Sequence, residues 1–207
     1  MSEPTDADLE ALPAPRRPWR RLTLVVMSVT LLASVGLLAS LRGELAFSVS
    51  AEAPRAIGEL SAFEPGKVDE NSWVRAEGEL EVQGAIAYRR PLETDSYRLS
   101  RVRGTDRVFV QVRVPHDDDD PEHKRFVPPT SFVGRLVPAE QGGVRLSRLG
   151  RAIDEAGRPP LPRDAWLLID GEAPATTRWT LGLALLLFGF AVFNVVGLRR
   201  LLRPAAG

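Results

Sequence analysis

Residues 22–41 read LTLVVMSVTLLASVGLLASL, and residues 179–198 read WTLGLALLLFGFAVFNVVGL. Neither stretch contains a charged residue. At about 1.5 Å of rise per residue, a helix of roughly twenty residues is about 30 Å long, which matches the hydrocarbon core of a bilayer. The two stretches therefore predict a transmembrane helix near each end of the chain, with a separate domain between them at residues 42–178.

Arginines flank both apolar stretches and predict their orientation. They are Arg16, Arg17, Arg20 and Arg21 before the first stretch, and Arg199, Arg200 and Arg203 after the second. Short flanks rich in Lys and Arg stay in the cytoplasm. We therefore expect cytoplasmic tails at 1–21 and 199–207, and a periplasmic central domain anchored in a bacterial inner (plasma) membrane. The alternative is a cleaved signal peptide, but the first apolar stretch exceeds the usual length of about 7–15 residues.

Small residues form a strip on each predicted helix and suggest how the two helices meet. The strips are Ala33, Gly36 and Ser40 on the first helix, and Gly182, Gly189 and Gly197 on the second. Such strips let helix backbones approach closely in lipid. Asn194 is the one strongly polar side chain in either stretch, and we expect it to bond a serine or threonine of the first helix. The alternative is a functional polar site within the membrane.

The charge and cysteine content exclude several classes of function. The chain has 27 basic and 27 acidic residues, and residues 43–178 contain 19 and 23 of them. A central domain without a basic excess disfavours nucleic acid as a partner. Because the chain has no cysteine, disulfides, thiolate metal sites and cysteine nucleophiles are excluded.

The sequence of the central domain predicts mostly β-strands. Between Val74 and Val82 the even positions are apolar or small and the odd positions are charged, and a similar alternation runs from Arg107 to Val114. Alternation of this kind marks half-buried strands. Further strands are predicted at Ala85–Arg90, Ser96–Val102, Ser131–Val137 and Ala165–Asp170.

Two short helices and one extended connector complete this prediction. The helices are expected at Ala56–Phe63 and Leu146–Glu155, and the proline-rich run Arg158–Pro162 is expected to be extended. The whole pattern predicts a mostly antiparallel β domain, either a small barrel or a curled sheet, flanked by two transmembrane α-helices.

Chemistry-bearing motifs are sparse. The chain lacks a nucleophile elbow, a zinc-protease helix and a phosphate-binding or dinucleotide-binding glycine loop. Its two histidines flank a run of aspartates, and His116, Asp117, Asp119 and His123 are the candidate metal ligands. The alternative is a solvated hairpin tip, since consecutive like charges without apolar residues resist burial.

Arginines crowd the middle strands and allow two interpretations. They are Arg89, Arg90, Arg98, Arg101, Arg103, Arg107 and Arg113. Such a face could bind an anionic ligand, for example haem propionate or a lipid head group. Alternatively, the arginines pair with the acidic row of Glu77, Glu79 and Glu81, because cross-strand pairs of opposite charge stabilise a sheet by about 0.2–1 kcal/mol each.

Several short motifs lie between Trp73 and Pro138: Val74-Arg75-Ala76-Glu77-Gly78, then Arg90-Pro91 with Tyr97, Val108-Phe109-Val110 with Pro115, and Val133-Gly134-Arg135-Leu136. Together with the layout of the chain, these motifs resemble the surfeit-locus-one family of cytochrome oxidase assembly factors. The family's Trp-Gln after the first helix and its Asn-Arg-Gly-Trp signature are absent. The resemblance implies a role in assembling a respiratory oxidase.

Three functional hypotheses follow. The first is a non-enzymatic accessory or assembly factor that works without a cofactor, with the lipid bilayer and another integral membrane protein as its partners. The second is a membrane-tethered domain that binds or senses a metal or an anionic ligand. The third is a hydrolase using paired carboxylates, such as Glu77 with Glu79 or Asp154 with Glu155.

Overall fold

A computed structural model of the chain describes residues 19–50, 53–89, 93–115, 127–141 and 143–203, without the side chains of 141 and 143–148. The chain divides into two compact units. The first contains the two apolar segments, up to Leu41 and from Gly182 onward, and the second is Arg42–Leu181.

Two long apolar helices dominate the first unit. Helix α1 spans Trp19–Ser40 and helix α4 spans Trp179–Leu202, and both are long and apolar enough to cross a membrane. Their large apolar side chains point outward, with Leu32 72% and Leu185 73% exposed, whereas the polar Asn194 is 3% exposed. This distribution is the reverse of that in a water-soluble core, and it is typical of helices surrounded by lipid.

Polar contacts join α1 to α4 in an antiparallel arrangement. The Thr30 hydroxyl donates to Oδ1 of Asn194 at 3.1 Å, and Nδ2 of Asn194 donates to the Phe190 carbonyl at 2.8 Å. At the other end of this contact, Nη2 of Arg20 donates to the Leu201 carbonyl at 2.6 Å, where the last turn of α4 leaves carbonyls without helical partners. The expected bond between Asn194 and a threonine is confirmed.

The interpretation of the glycine strips is mostly wrong. Only Gly197 lies tightly against the other helix, because a Cβ there would be 2.2 Å from Cε of Met27. Among the described residues, no atom lies within 4 Å of a Cβ placed at Gly36, Gly182 or Gly189. The helix contact is therefore set by Asn194 and Gly197, and the other glycines leave open space.

The second unit contains a seven-stranded sheet with the order β1-β2-β6-β7-β5-β4-β3. The strands are β1 Arg55–Glu59, β2 Ser72–Glu77, β3 Ile86–Arg89, β4 Ser96–Arg101, β5 Val108–Val114, β6 Ser131–Pro138 and β7 Trp166–Asp170. The pairs β1–β2 and β5–β7 are parallel, and the other four are antiparallel. Strands β2 to β7 confirm the six predicted strands, with the first ending at Glu77.

Of the two predicted forms, a small barrel or a curled sheet, the barrel is wrong, because the sheet is open. Strands β1 and β3 are its two edges, and helix α3, Gly143–Glu155, packs on one face. The helix expected at Ala56–Phe63 is also wrong, because this segment forms β1 followed by the 3₁₀ turn Leu60–Ala62. Gly58 has φ +75°, and the pairing of β1 with β2 shifts at this residue, which is the mark of a bulge.

Both faces of the sheet carry apolar clusters. On face 1, Val74, Val110 and Phe132 belong to a cluster that also contains Leu60 and Val68, from the segment between β1 and β2. Face 2 carries a second set of buried and partly buried side chains that packs against α3 and the proline-rich connector. This set is Ile86, Leu99, Phe109, Val137, Leu167 and Ile169, packed against Leu149, Ile153 and Leu161. Because both faces are covered here, Gln111 on β5 is buried although the alternation had suggested a solvated side.

Candidate functional site

The proposed metal ligands lie outside the described residues. His116, Asp117, Asp119 and His123 all fall within residues 116–126, so the structure does not test this prediction. Within the part of the chain that the structure describes, no group of three or more histidines, aspartates and glutamates is placed to hold a metal ion.

Several of the crowded arginines form ion pairs at the surface of the domain. Arg103 contacts Glu79 at 2.6 Å, and Arg107 contacts Asp164 at 3.0 Å. Arg113 pairs closely with Asp95, and this hydrogen bond raises the pKa of its guanidinium. Glu79 and Glu81 each form an ion pair with an arginine, as the ion-pair interpretation predicted. Arg90 lies outside the described residues.

A groove of about 480 Å³ lies on face 2, and we call it the connector groove. Its apolar surface comes from Ile86, Leu99 and Phe109 on three neighbouring strands, together with Ile153 of α3 and Leu161 of the connector. Its wall is the segment Arg158–Pro162, which has no regular secondary structure. Sites for small organic ligands usually combine such an apolar surface with a few polar groups.

The rim of the groove carries both signs of charge. Arg101 donates to Glu81 through Nε at 3.0 Å and Nη2 at 2.8 Å, and to Asp106 through Nη1 at 2.7 Å. The hydrogen bond to Glu81 is the main reason that the pKa of Arg101 is raised. Both rim carboxylates are therefore already engaged by one guanidinium.

Arg158 reaches the same groove from the end of α3, where the chain turns sharply. Gly157 has φ +64°, its N–H donates to the Asp154 carbonyl, and the N–H of Arg158 donates to the Ile153 carbonyl, both at 3.0 Å. This pair of bonds is the Schellman motif that ends many helices. It fixes the backbone of Arg158, whose Nη2 lies 3.4 Å from the position of a Cβ at Gly84.

A buried arginine forms a second polar centre on β6. Arg135 is 5% exposed, and its Nη1 donates to Oε2 of Glu44 at 2.8 Å and to Oε1 of Glu172 at 3.2 Å. Its Nε donates to Oδ1 of Asn71 at 2.6 Å, and its guanidinium carbon lies 4.5 Å from the centre of the Phe47 ring. We call these five residues the Arg135 cluster.

The Arg135 cluster joins segments that are far apart in sequence. Glu44 and Phe47 lie on helix α2, Arg42–Ser48, which follows α1, and Glu172 lies between β7 and α4. Helix α2 also packs against the 3₁₀ turn Pro174–Thr177. The cluster therefore holds together, within the second unit, the two chain segments that lead into the apolar helices.

Asp170 is a partly buried carboxylate at the end of β7. Burial raises its pKa above the ordinary value of 3.8, although its hydrogen bonds from the N–H groups of Val133 and Gly171 lower it. The bond from Val133 to Oδ1 is 3.1 Å long. By accepting this bond, the Asp170 carboxylate fixes the first residues of β6 against β7.

Sequence reasoning missed Arg158 and Arg135. A glycine directly after an amphipathic helix predicts its end, so Gly157 could have drawn attention to Arg158. Arg135 interrupts an apolar strand, which is a signal for a buried charge, but its partners Glu44 and Glu172 come from opposite ends of the domain. Comparison of the chain with protein-family models, with curated proteins and with solved structures found no match.

Proposed function

We propose that this chain is a double-pass membrane protein of the bacterial inner membrane, with both tails in the cytoplasm and residues 42–178 in the periplasm. The outward-facing apolar side chains of α1 and α4 support the two crossings, since water would otherwise meet most of their surface. The arginines at the N-terminal end of α1 and at the C-terminal end of α4 support the orientation.

The function that fits this layout best is that of a non-enzymatic accessory or assembly factor for another integral membrane protein. The observation that carries it is the Arg135 cluster, because the buried Arg135 pairs with Glu44 and Glu172, which lie on the two segments that connect the sheet domain to its helices. Two anchors raise the effective concentration of the domain at the membrane, so weak contacts with a membrane partner suffice.

Co-purification tests this role. The full chain, tagged at its C-terminus and extracted from its native membrane in a mild detergent, should bring down the same integral membrane protein in repeated preparations. An unrelated two-helix membrane protein with the same tag serves as the control. Recovery of the chain alone, after chemical cross-linking as well as without it, would count against an accessory role.

The similarity of residues 73–138 to the surfeit-locus-one family makes a respiratory oxidase the first partner to test. Deletion of the gene should lower cytochrome oxidase activity and the haem absorbance of the oxidase in isolated membranes. Reintroducing the full chain should restore both. Unchanged oxidase activity and spectrum in the deletion strain would remove the oxidase from the proposal and leave the search for another partner.

A further inference from the structure

The connector groove combines an apolar floor with a wall that offers few polar groups. Ile86, Leu99 and Phe109 line one side of it and Leu161 lines the other. Three of the five residues in Arg158–Pro162 are prolines, which have no N–H. This wall can therefore contact an apolar ligand, but it has little with which to hold a polar head group.

The polar lining of the groove includes Gln83 and the charged Arg158, and Arg158 is the group suited to an anionic head. In the part of the chain that the structure describes, no carboxylate lies within ion-pair distance of its guanidinium, and its side chain is exposed. The carboxylates of Glu81 and Asp106 are bound by Arg101 instead. The guanidinium N–H groups of Arg158, at the rim of the groove, are therefore available to a ligand.

Two local features hold this guanidinium at the mouth of the groove. The Schellman motif at Gly157 anchors the backbone of Arg158. Gly84, with φ +90° and no side chain, leaves room for the guanidinium directly above it. The backbone that carries the cation is therefore fixed by a hydrogen-bonded turn, and its guanidinium lies beside a second turn at Gly84.

From this arrangement we infer that the connector groove binds a single-chain amphiphile whose anionic head pairs with Arg158 and whose apolar tail lies on Ile86, Leu99 and Phe109. A guanidinium can donate two parallel hydrogen bonds to a carboxylate or a phosphate. The volume of about 480 Å³ lies within the range of roughly 300–1,000 Å³ for small organic ligands, which suits one chain. This site is separate from the Arg135 cluster and does not depend on the proposed assembly role.

Photo-crosslinking of the full chain in lipid nanodiscs tests the inference. Three diazirine-bearing probes with the same alkyl chain are compared: a fatty acid, an alkyl phosphate and an alcohol. Labelled residues are mapped by peptide mass spectrometry. Both anionic probes should label segments 83–86, 99–109 and 158–162. The alcohol should label these segments about tenfold less, because it loses one charge-assisted hydrogen bond.

Matched variants assign the head group to Arg158. Arg158→Gln should reduce labelling of the groove by the anions about tenfold. Pro160→Glu should reduce it by like-charge repulsion, and Pro160→Lys, which changes the same exposed proline, should not. Thermal unfolding of each variant establishes that the fold is retained. Equal labelling of the groove by acid and alcohol, unchanged labelling in Arg158→Gln, or label confined to α1 and α4 would each overturn the inference.

Discussion

At the scale of single residues, Arg135 places a buried charge within the mostly apolar strand β6. Burying a guanidinium with two carboxylates carries a large desolvation penalty, so the Arg135 cluster is weak support for stability in itself. Its effect is to bind segments that are distant in sequence: α2, the turn at Asn71 and the segment before α4. Asn71 takes part with φ +61° and donates to the Gly43 carbonyl at 2.7 Å.

Replacing Arg135 should be far more damaging than replacing a surface arginine. Arg135→Met removes the buried guanidinium that pairs with the partly buried Glu44 and Glu172, which should lower the free energy of unfolding by about 3–5 kcal/mol. Arg107→Met is the control, because its pair with Asp164 is exposed and should contribute at most about 1 kcal/mol. Denaturant unfolding of the purified full chain measures both, and equal losses would show that the cluster does not hold the domain together.

Gly134 lies where β6 approaches β7 too closely for a side chain. A Cβ there would be 2.0 Å from the Ile169 carbonyl oxygen, and the backbone of a central strand has little freedom to move away. Gly134→Ala should therefore destabilise the domain by about 3 kcal/mol or more.

Gly150 provides the matched control for this substitution. No described atom lies within 4 Å of a Cβ at this helical residue, so Gly150→Ala should leave stability unchanged or raise it by up to about 1 kcal/mol. Thermal unfolding of the two variants compares them directly. A Gly134→Ala protein as stable as the parent would contradict the observed strand spacing.

Asp170 should make the stability of the domain depend on pH. Because its pKa is raised in the folded protein, its contribution is fully present below the ordinary value of 3.8 and is lost as pH rises through the higher folded pKa. Asp170→Asn stays neutral and keeps an oxygen acceptor for the Val133 N–H. We expect this variant to unfold at a higher temperature than the parent at pH 7, with the difference shrinking towards pH 4; a constant difference across this range would exclude Asp170 as its source.

At the scale of elements, the alternation of apolar and polar residues predicted those strands whose structure depends on residues close together in the chain. Alternation located β2 and β5, and it failed at β1, where Ala56, Ile57, Leu60 and Phe63 have helical spacing. There, parallel pairing with β2 and the bulge at Gly58 decide the structure. The barrel prediction failed for a related reason, because closure depends on whether the edge strands β1 and β3 meet, and no local pattern encodes that contact.

The candidate site shows the same limit. The metal prediction rested on His116 and His123, which the structure does not describe. The connector groove instead depends on Gly84, Leu99 and Arg158, which are far apart in sequence and meet only after the sheet and α3 have formed. The ion pairs of Glu79 and Glu81 were predictable, because their partners lie on an adjacent segment that a single bridge between Leu80 and Val102 brings alongside.

The contact between α1 and α4 should depend on Asn194. Asn194→Leu removes its bonds with Thr30 and Phe190, and measured values for polar contacts between membrane helices suggest a loss of about 0.6–2 kcal/mol. Phe193→Leu, at the exposed neighbouring position, is the control. Unfolding in increasing sodium dodecyl sulfate measures the effect, and a double variant with Thr30→Val should lose less than the sum of the two single changes.

At the scale of the whole molecule, the chain consists of an apolar pair of helices and a sheet domain inserted between them. The two units follow opposite rules of burial. Apolar side chains face outward in the first unit and inward in the second, as the helices Trp19–Ser40 and Trp179–Leu202 and the strand Val108–Val114 illustrate. This contrast is what the proposed membrane location predicts, with lipid around the first unit and water around the second.

Cysteine accessibility tests this account most directly, because the chain has no cysteine of its own. Single cysteines are placed at exposed Ser61 in the sheet domain and at Ala206 in the C-terminal tail, and intact bacterial spheroplasts are treated with a membrane-impermeant maleimide. We predict labelling of Ser61→Cys in intact spheroplasts, and labelling of Ala206→Cys only after the membrane is permeabilised. Labelling of Ala206→Cys in intact spheroplasts, or protection of Ser61→Cys until permeabilisation, would contradict two crossings with both tails in the cytoplasm.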